Sequence, residues 1–381
     1  RFVMCKVPFE QVVSPVIFDE IEEAIEKKTT PEYRIFPVGQ VELLEAGLET
    51  PGSTEEQSAG DGGSYGPLIK SAKYIGNKWG GKYLRAPDIY WTILEKGRDK
   101  LVRLGDIAEV RRGITTGANE FFYLDEAKIR EWEIEEEFLK PVLSSTAEIQ
   151  HLIIHQGDSK TFLFSCSLTI EQLKKQGFRG AVSYITWGAT QQTRAKGKHT
   201  IAGVLLQDAP SVRSHTPAWY CIQPHEPGAF IVPRLIRERF FFADNPDGLS
   251  ETDMFFHGYV KKHPRTVSAL LNCTFTYLVL EILGRQGIEG RFNVYGPELA
   301  QVMITDPQRL SVASRLFIEE SFQKVGSRRI LKIIDEVKQS DRYTIDNLIF
   351  DALNLTQGER DAVYEAVINL VEARLNKANS V

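Results

Sequence analysis

The stretch LVRLGDIAEVRRGITTGANEFFYL, Leu101 to Leu124, decides how this chain is read. Val102–Val110 and Phe121–Leu124 are short β-rich runs, and between them Gly113–Asn119 places two glycines within seven residues. Glycine tolerates positive φ and close backbone approach, so the pattern predicts strand, tight turn, strand. Exposed N–H groups in such a turn can hold phosphate. The Gly117 backbone and the side chains of Thr115, Thr116 and Asn119 would add hydrogen bonds. The same turn serves equally well as a strand connection with no ligand. Arg111 and Arg112 precede it; on a strand they point to opposite faces, so at most one meets a given surface.

Outward from this stretch, the chain keeps mixing its periods. Leu152–His155, Thr161–Phe164, Trp219–Ile222, Phe230–Val232 and Arg239–Phe242 read as further strands. Helical stretches fall near 88–100, 169–176 and 264–284. They do not alternate with strands in a regular βαβ manner, so the fold class is α+β rather than a doubly wound sheet. Residues 311–338 predict one strong amphipathic helix, with an apolar stripe of Leu316, Phe317, Phe322, Ile330, Ile333, Ile334 and Val337. Residues 344–378 predict two or three more helices. At the other end, 2–13 reads as a strand and 16–28 as a helix. Residues 49–66 are mostly Gly, Ser, Glu and Gln, too polar for a core, and read as a flexible linker. The chain opens at Arg1-Phe2-Val3-Met4, inside an apolar run. That reads as a fragment whose preceding part lies elsewhere, with a processed terminus as the alternative.

The net charge of −5 hides an uneven distribution. Residues 67–112 carry eleven Lys/Arg against five Asp/Glu, and residues 151–262 thirteen against nine. Phosphate feels local potential, so such basic stretches can meet nucleic acid, although they also suit solvated faces. Within the second stretch, Gln191–Lys198 is polar and basic. Gln192 and Arg194 have the chemistry to read adenine and guanine edges, and Lys196 and Lys198 to meet phosphate. Trp79, Trp187, Trp219 and Tyr220 have faces that could stack on a displaced base, though such residues more often fill a core.

Several chemistries are not written in the sequence. There is no P-loop, GxSxG elbow or HExxH, and Gly60-Asp61-Gly62-Gly63 lies in the polar linker rather than between strand and helix. Asn245-Pro246-Asp247-Gly248 reads as a turn between Phe242 and Met254. His151 and His155 lack the further ligands of a metal site, so no metal residue is assigned. Four scattered cysteines without a CxxC pair fit a reducing cytosol and a cytoplasmic protein. No span or membrane partner is expected.

The motifs, taken in order, resemble the specificity region of N6-adenine DNA methyltransferases of restriction-modification and related phage-defence systems. The carriers are Leu104-Gly105-Asp106-Ile107, then Gly113, Ile114, Thr116, Gly117, Asn119, Phe121 and Phe122. Upstream stand Trp79, Tyr83, Leu84, Arg85, Ala86 and Pro87; downstream stand Leu139-Lys140-Pro141, Tyr184-Ile185, Trp187-Gly188 and Trp219-Tyr220. Leu270-Leu271-Asn272-Cys273-Thr274 is similar to the family's helix after the recognition sheet, with Cys273 where Ser is usual. Ile345 to Arg374 is similar to its tail. The resemblance covers nearly the whole chain.

It implies a mixed-sheet DNA methylase specificity-type domain with a C-terminal helical region. It divides the chain into 1–48 (end of a methyltransferase domain or connecting segment), 49–66 (linker), 67–310 (target recognition) and 311–381 (helical). The candidate DNA-binding residues are Arg111, Arg112, Thr115, Thr116, Gly117, Asn119, Gln192, Arg194, Lys196 and Lys198. The implied partners are double-stranded DNA, the chain's own N-terminal methyltransferase domain and a restriction or defence subunit. No catalytic or cofactor-binding residue is assigned here. S-adenosylmethionine and the Asn-Pro-Pro-Tyr loop are expected in the missing catalytic domain, which would leave this chain alone inactive. The competing readings are a protein-interaction or scaffold module that does not read DNA, and a free-standing enzyme of another type.

Overall fold

A computed structural model describes residues 1–12, 15–45, 80–193, 202–287 and 289–379. The expected linker at 49–66, Trp79, and Arg194, Lys196 and Lys198 lie outside the described residues.

The larger core forms around an antiparallel sheet ordered Ala243–Asp244, Phe230–Pro233, Phe255–Val260, Ala108–Arg112. The register sets Phe256 between Val232 and Arg112, and His257 between Ile231 and Arg111. Side chains alternate across a strand. Ala108 and Phe256 therefore share one face with Phe230 and Val232 and face the core, while Glu109, Arg111, His257 and Tyr259 share the other. Two helices, Pro264–Leu271 and Thr274–Leu283, are almost wholly buried in the same core. They are bent by 69° relative to each other, and among the described residues no single helix is long and apolar enough to cross a membrane.

A second core lies around the sheet ordered Ser250–Glu251, Leu139–Leu143, Thr161–Phe164, Tyr123–Leu124, with the helices Ile170–Gln176 and Arg179–Thr190. The two cores meet within one strand: Val142 belongs to this core and the next residue, Leu143, to the larger one. A third, small core of Ile17, Tyr33 and Ile35 lies in the N-terminal segment. Fully buried Arg34 ties that segment on through a 3.0 Å pair with Asp88.

The α+β mixture stands, but several expected elements change for identifiable reasons. The strand expected at 102–110 is two strands in different sheets. Leu101–Arg103 pairs with Met303–Thr305, Ala108–Arg112 pairs with Phe255–Val260, and a helical turn at Leu104–Ile107 separates them. Phe121 and Phe122 are both fully buried. They sit in a short helix, Asn119–Phe122, and only Tyr123–Leu124 is strand. Arg239–Phe242 is not a strand either: the Asn272 side chain bonds both the N–H and the carbonyl of Phe242, at 3.1 and 2.7 Å, in place of a strand neighbour. Leu152–His155 retains only an isolated bridge from Ile153 to Asp244, and Trp219–Ile222 contains no strand. The first strand stops at Cys5, shortly before Pro8, and the first helix covers only Ile17–Glu23, leaving Ile25 87% exposed.

The expected helix 311–338 breaks after Gly326. The chain there turns inward: the Ile330 N–H donates to the Gln150 carbonyl at 2.8 Å and the Ile333 N–H to the Glu238 carbonyl at 2.7 Å. Of its stripe, Phe322, Ile330, Ile333 and Val337 are buried, whereas Leu316 and Phe317 are 61% and 49% exposed. Two helices follow, Ser340–Ala352 and Gln357–Asn379. They share the larger core with residues before 310. Arg374 is buried against Glu281, its Nε 3.0 Å from Oε1, and Asp346 accepts from the Thr274 N–H at 2.8 Å. The boundary expected at 310/311 therefore does not separate two cores.

Candidate nucleic-acid interface

One face of the larger sheet carries Glu109, Arg111, His257 and Tyr259 beside the buried Ile231 and Phe255. Arg111, on the edge strand, is half exposed; it donates to Glu109 at 2.7 Å, and its guanidinium lies 4.9 Å from the Tyr259 ring centre. Arg112 points the other way, as strand alternation requires, and pairs with Asp253 at 2.9 Å. Only Arg111 offers its charge to this face.

The turn that follows is held by its own chain on both sides. The Gly113 N–H donates to Phe255 at 3.0 Å and the Ile114 N–H to Glu251 at 2.8 Å. A β-carbon at Gly113 would stand 2.2 Å from the Thr252 carbonyl oxygen. Gly117 has φ +71°, and a β-carbon there would lie 2.4 Å from the Ser211 carbonyl oxygen. The Ser211 hydroxyl donates to the Gly117 carbonyl at 2.6 Å. Thr116 is fully buried, its hydroxyl 2.6 Å from Asn119 Oδ1 and accepting from the Ala118 N–H at 3.2 Å. These close approaches are to backbone of the same chain. The side chains of Thr115 and Asn119 are exposed, whereas Thr116 is turned inward and holds the loop's shape.

Gln192 is exposed just beyond the helix Arg179–Thr190 and forms an isolated bridge with Leu205. The neighbouring Leu206 N–H donates to the Gln191 carbonyl at 2.9 Å. A single segment, Leu205–Ser211, thus ties the start of the basic loop at one end and the Gly117 turn at the other. Chain separation hid this from sequence reading, because neither end carries a recognisable motif.

The aromatic candidates serve packing to different degrees. Tyr220 is buried, with its hydroxyl donating to the Leu168 carbonyl at 3.1 Å. Trp219 packs against Phe121 at 4.6 Å between ring centres, and Trp187 stacks on Tyr184 at 5.4 Å beneath the Lys128 ammonium. The expected turn at Asn245–Gly248 is present, closed by the Gly248 N–H on the Asn245 carbonyl at 3.3 Å. His155 turns to Asp247 at 3.1 Å, and His151 pairs through its backbone with Arg329.

One group at this face was not singled out from the sequence. His257 and Glu251 are both buried, with His257 Nδ1 against the Glu251 carboxylate. They border a shallow cleft with Ile114, His225, Glu226 and Ser250. Burial, His257 and Arg111 together hold the His225 imidazole below its usual range, against a weaker upward pull from Glu251. The only available signal was the spacing of Arg111, His257 and Tyr259 on facing strands, which needs the register to be seen.

A mixed α/β chain with two joined cores and a polar sheet edge defines the class. Residues 76–339 match the family model described as the C-terminal domain of Type II methyltransferase M.Eco57I. That is more than half of the chain, which belongs to this family. The chain is 22% identical over 265 residues to Type II methyltransferase M.AccI of Acinetobacter calcoaceticus, covering 66% of this chain and 44% of that protein. It thus spans less than half of that relative's length. The type IIG restriction endonuclease BpuSI shares the fold, with a TM-score of 0.51 at 12% identity, over 76% of this chain and 33% of the endonuclease. The chain is a restriction-modification methyltransferase-related region.

Proposed function

We propose that this chain reads and grips duplex DNA for a site-specific adenine-N6 DNA methyltransferase whose catalytic domain lies outside it. The observation that carries this reading is the shared Leu205–Ser211 tether, which joins Gln191 and Gln192, at the start of one polar stretch, to the Gly117 turn in a methyltransferase-family chain. Arg111 is the phosphate contact on the sheet face. Thr115 and Asn119 form the rim of the turn, while Arg112, Thr116 and Gly117 set its shape. Gln192 and Arg194 approach base edges, and Lys196 and Lys198 meet phosphates.

The target amine is buried in the base stack, so the adenine must leave the duplex before it can react. S-adenosylmethionine supplies the methyl group in the catalytic domain. This chain's share is to hold the distorted duplex, with phosphate contacts offsetting an unstacking cost of a few kcal/mol. The implied partners are DNA, that catalytic domain and a restriction or defence subunit, with the cytoplasm as the setting. Calorimetric titration of the chain alone with S-adenosylmethionine is expected to show no binding, and saturable micromolar binding would remove the division of labour.

Exposed Val312, Leu316 and Phe317 on the helix Val312–Gly326 favour an additional protein contact for the C-terminal helices. If the whole assembly binds DNA without any contribution from this chain, the scaffold reading replaces the recognition reading.

A further inference from the structure

The cleft at His257 has a chemistry that DNA gripping does not use. The His257 side chain is 2% exposed and the Glu251 side chain 3%. In a neutral imidazole whose Nδ1–H donates to a carboxylate, Nε2 is left as the lone-pair nitrogen. That Nε2 is buried without a hydrogen-bond partner among the described residues. Natural interiors rarely leave such an atom unused. The His225 ring lines the same cleft, with 6.4 Å between the ring centres and 45° between their planes. Glu226 and Glu251 line the same cleft, so its charge suits a cation rather than a phosphate.

An imidazole whose second nitrogen is held by a carboxylate is the usual arrangement of a metal-ligating histidine: the carboxylate selects the tautomer and strengthens the donor. A zinc-class ion lies about 2.0–2.1 Å from each nitrogen, which in a tetrahedral arrangement places two ligating rings roughly 5 Å apart centre to centre. The rings stand 6.4 Å apart, so the exposed His225 moves inward by about 1 Å to share an ion with His257. We propose that His257 Nε2 and His225 hold a divalent zinc-class cation in this cleft, with Glu226, which lines the same cleft, available to complete the set. Among the described residues no three His, Cys, Asp or Glu side chains already converge on one point. The protein therefore supplies two imidazoles, and water or a rotated Glu226 supplies the rest. This inference rests on the cleft alone and is independent of DNA binding.

The test is calorimetric titration of the full chain with Zn²⁺ alone, after treatment with a chelator and in a weakly coordinating buffer. The expected result is one saturable micromolar site. His257→Gln and His225→Gln should each weaken it at least tenfold, while His151→Gln with His155→Gln leaves it unchanged. Near-ultraviolet circular dichroism checks that each variant keeps its fold; if His257→Gln unfolds, His225→Gln carries the decision, because His225 is not part of the buried pair. Absence of saturable binding overturns the proposal. So does binding that survives His225→Gln, which would be an adventitious ion only, or a crystal structure grown with zinc that shows a water on Nε2.

Discussion

Arg111 and Arg112 behave as strand alternation dictates, one facing outward and the other locked on Asp253. Arg111→Ala is therefore expected to weaken DNA binding and to lower its salt slope by about one, while leaving the unfolding midpoint unchanged. Gly117→Val should act differently. A β-branched residue at φ +71° is strained, and its β-carbon meets the Ser211 backbone. A loss of at least about 2 kcal/mol is expected in urea unfolding, with binding to all sequences damaged alike. Glu336 sets a pH dependence. Burial raises its pKa, but Arg328 and Arg342 outweigh that and hold the carboxyl at about 2, against an ordinary 4.5. Its contribution is present above pH 4.5 and lost as the pH falls toward 2, on the order of 3 kcal/mol at most. Glu336→Gln should flatten the acid-unfolding curve in that window; an unchanged curve would show the pair to be inert.

At the scale of elements, the C-terminal helices are structural parts of the larger core. Arg374 and Glu281 form a buried ion pair, and the buried Asp346 carboxyl accepts from the Thr274 N–H across the same core. A chain ending at Asp306 removes Arg374 from Glu281 and uncovers the apolar side of the larger core on which Gln357–Asn379 packs, and is expected to be insoluble or to lose its cooperative unfolding transition. A soluble, equally stable product would contradict this. What was legible in the sequence follows the same logic. Thr161–Phe164 and the helix Ile170–Gln176 emerge where local period and packing agree. Arg239–Phe242 misled because a single Asn272 amide takes the place of a neighbouring strand. The helix expected to run to 338 misled because backbone groups at Gln150 and Glu238 capture Ile330 and Ile333. At the site, the glycine turn was visible, but its closeness to Ser211 was not, and Thr116 proved to face inward. His257 and Glu251 lie six residues apart with nothing in their spacing to join them; strand register does that.

For the whole molecule, the chain belongs to the family of the M.Eco57I C-terminal domain and spans 44% of the relative M.AccI. The central claim is that this module supplies DNA affinity through loops on one lobe. The most direct measurement is fluorescence anisotropy of the full chain, joined with the catalytic domain proposed for it, on a panel of duplexes at several salt concentrations. Affinity should fall steeply and linearly in log–log form with salt. Lys196→Ala with Lys198→Ala should lower that slope by roughly one for each phosphate left without its ammonium, equally for every duplex. Arg194→Ala or Gln192→Ala should instead relax preference at one base position by about 1–3 kcal/mol. If all of these variants bind every duplex as the parent does at every salt concentration, the DNA surface is not on this lobe and the account is wrong.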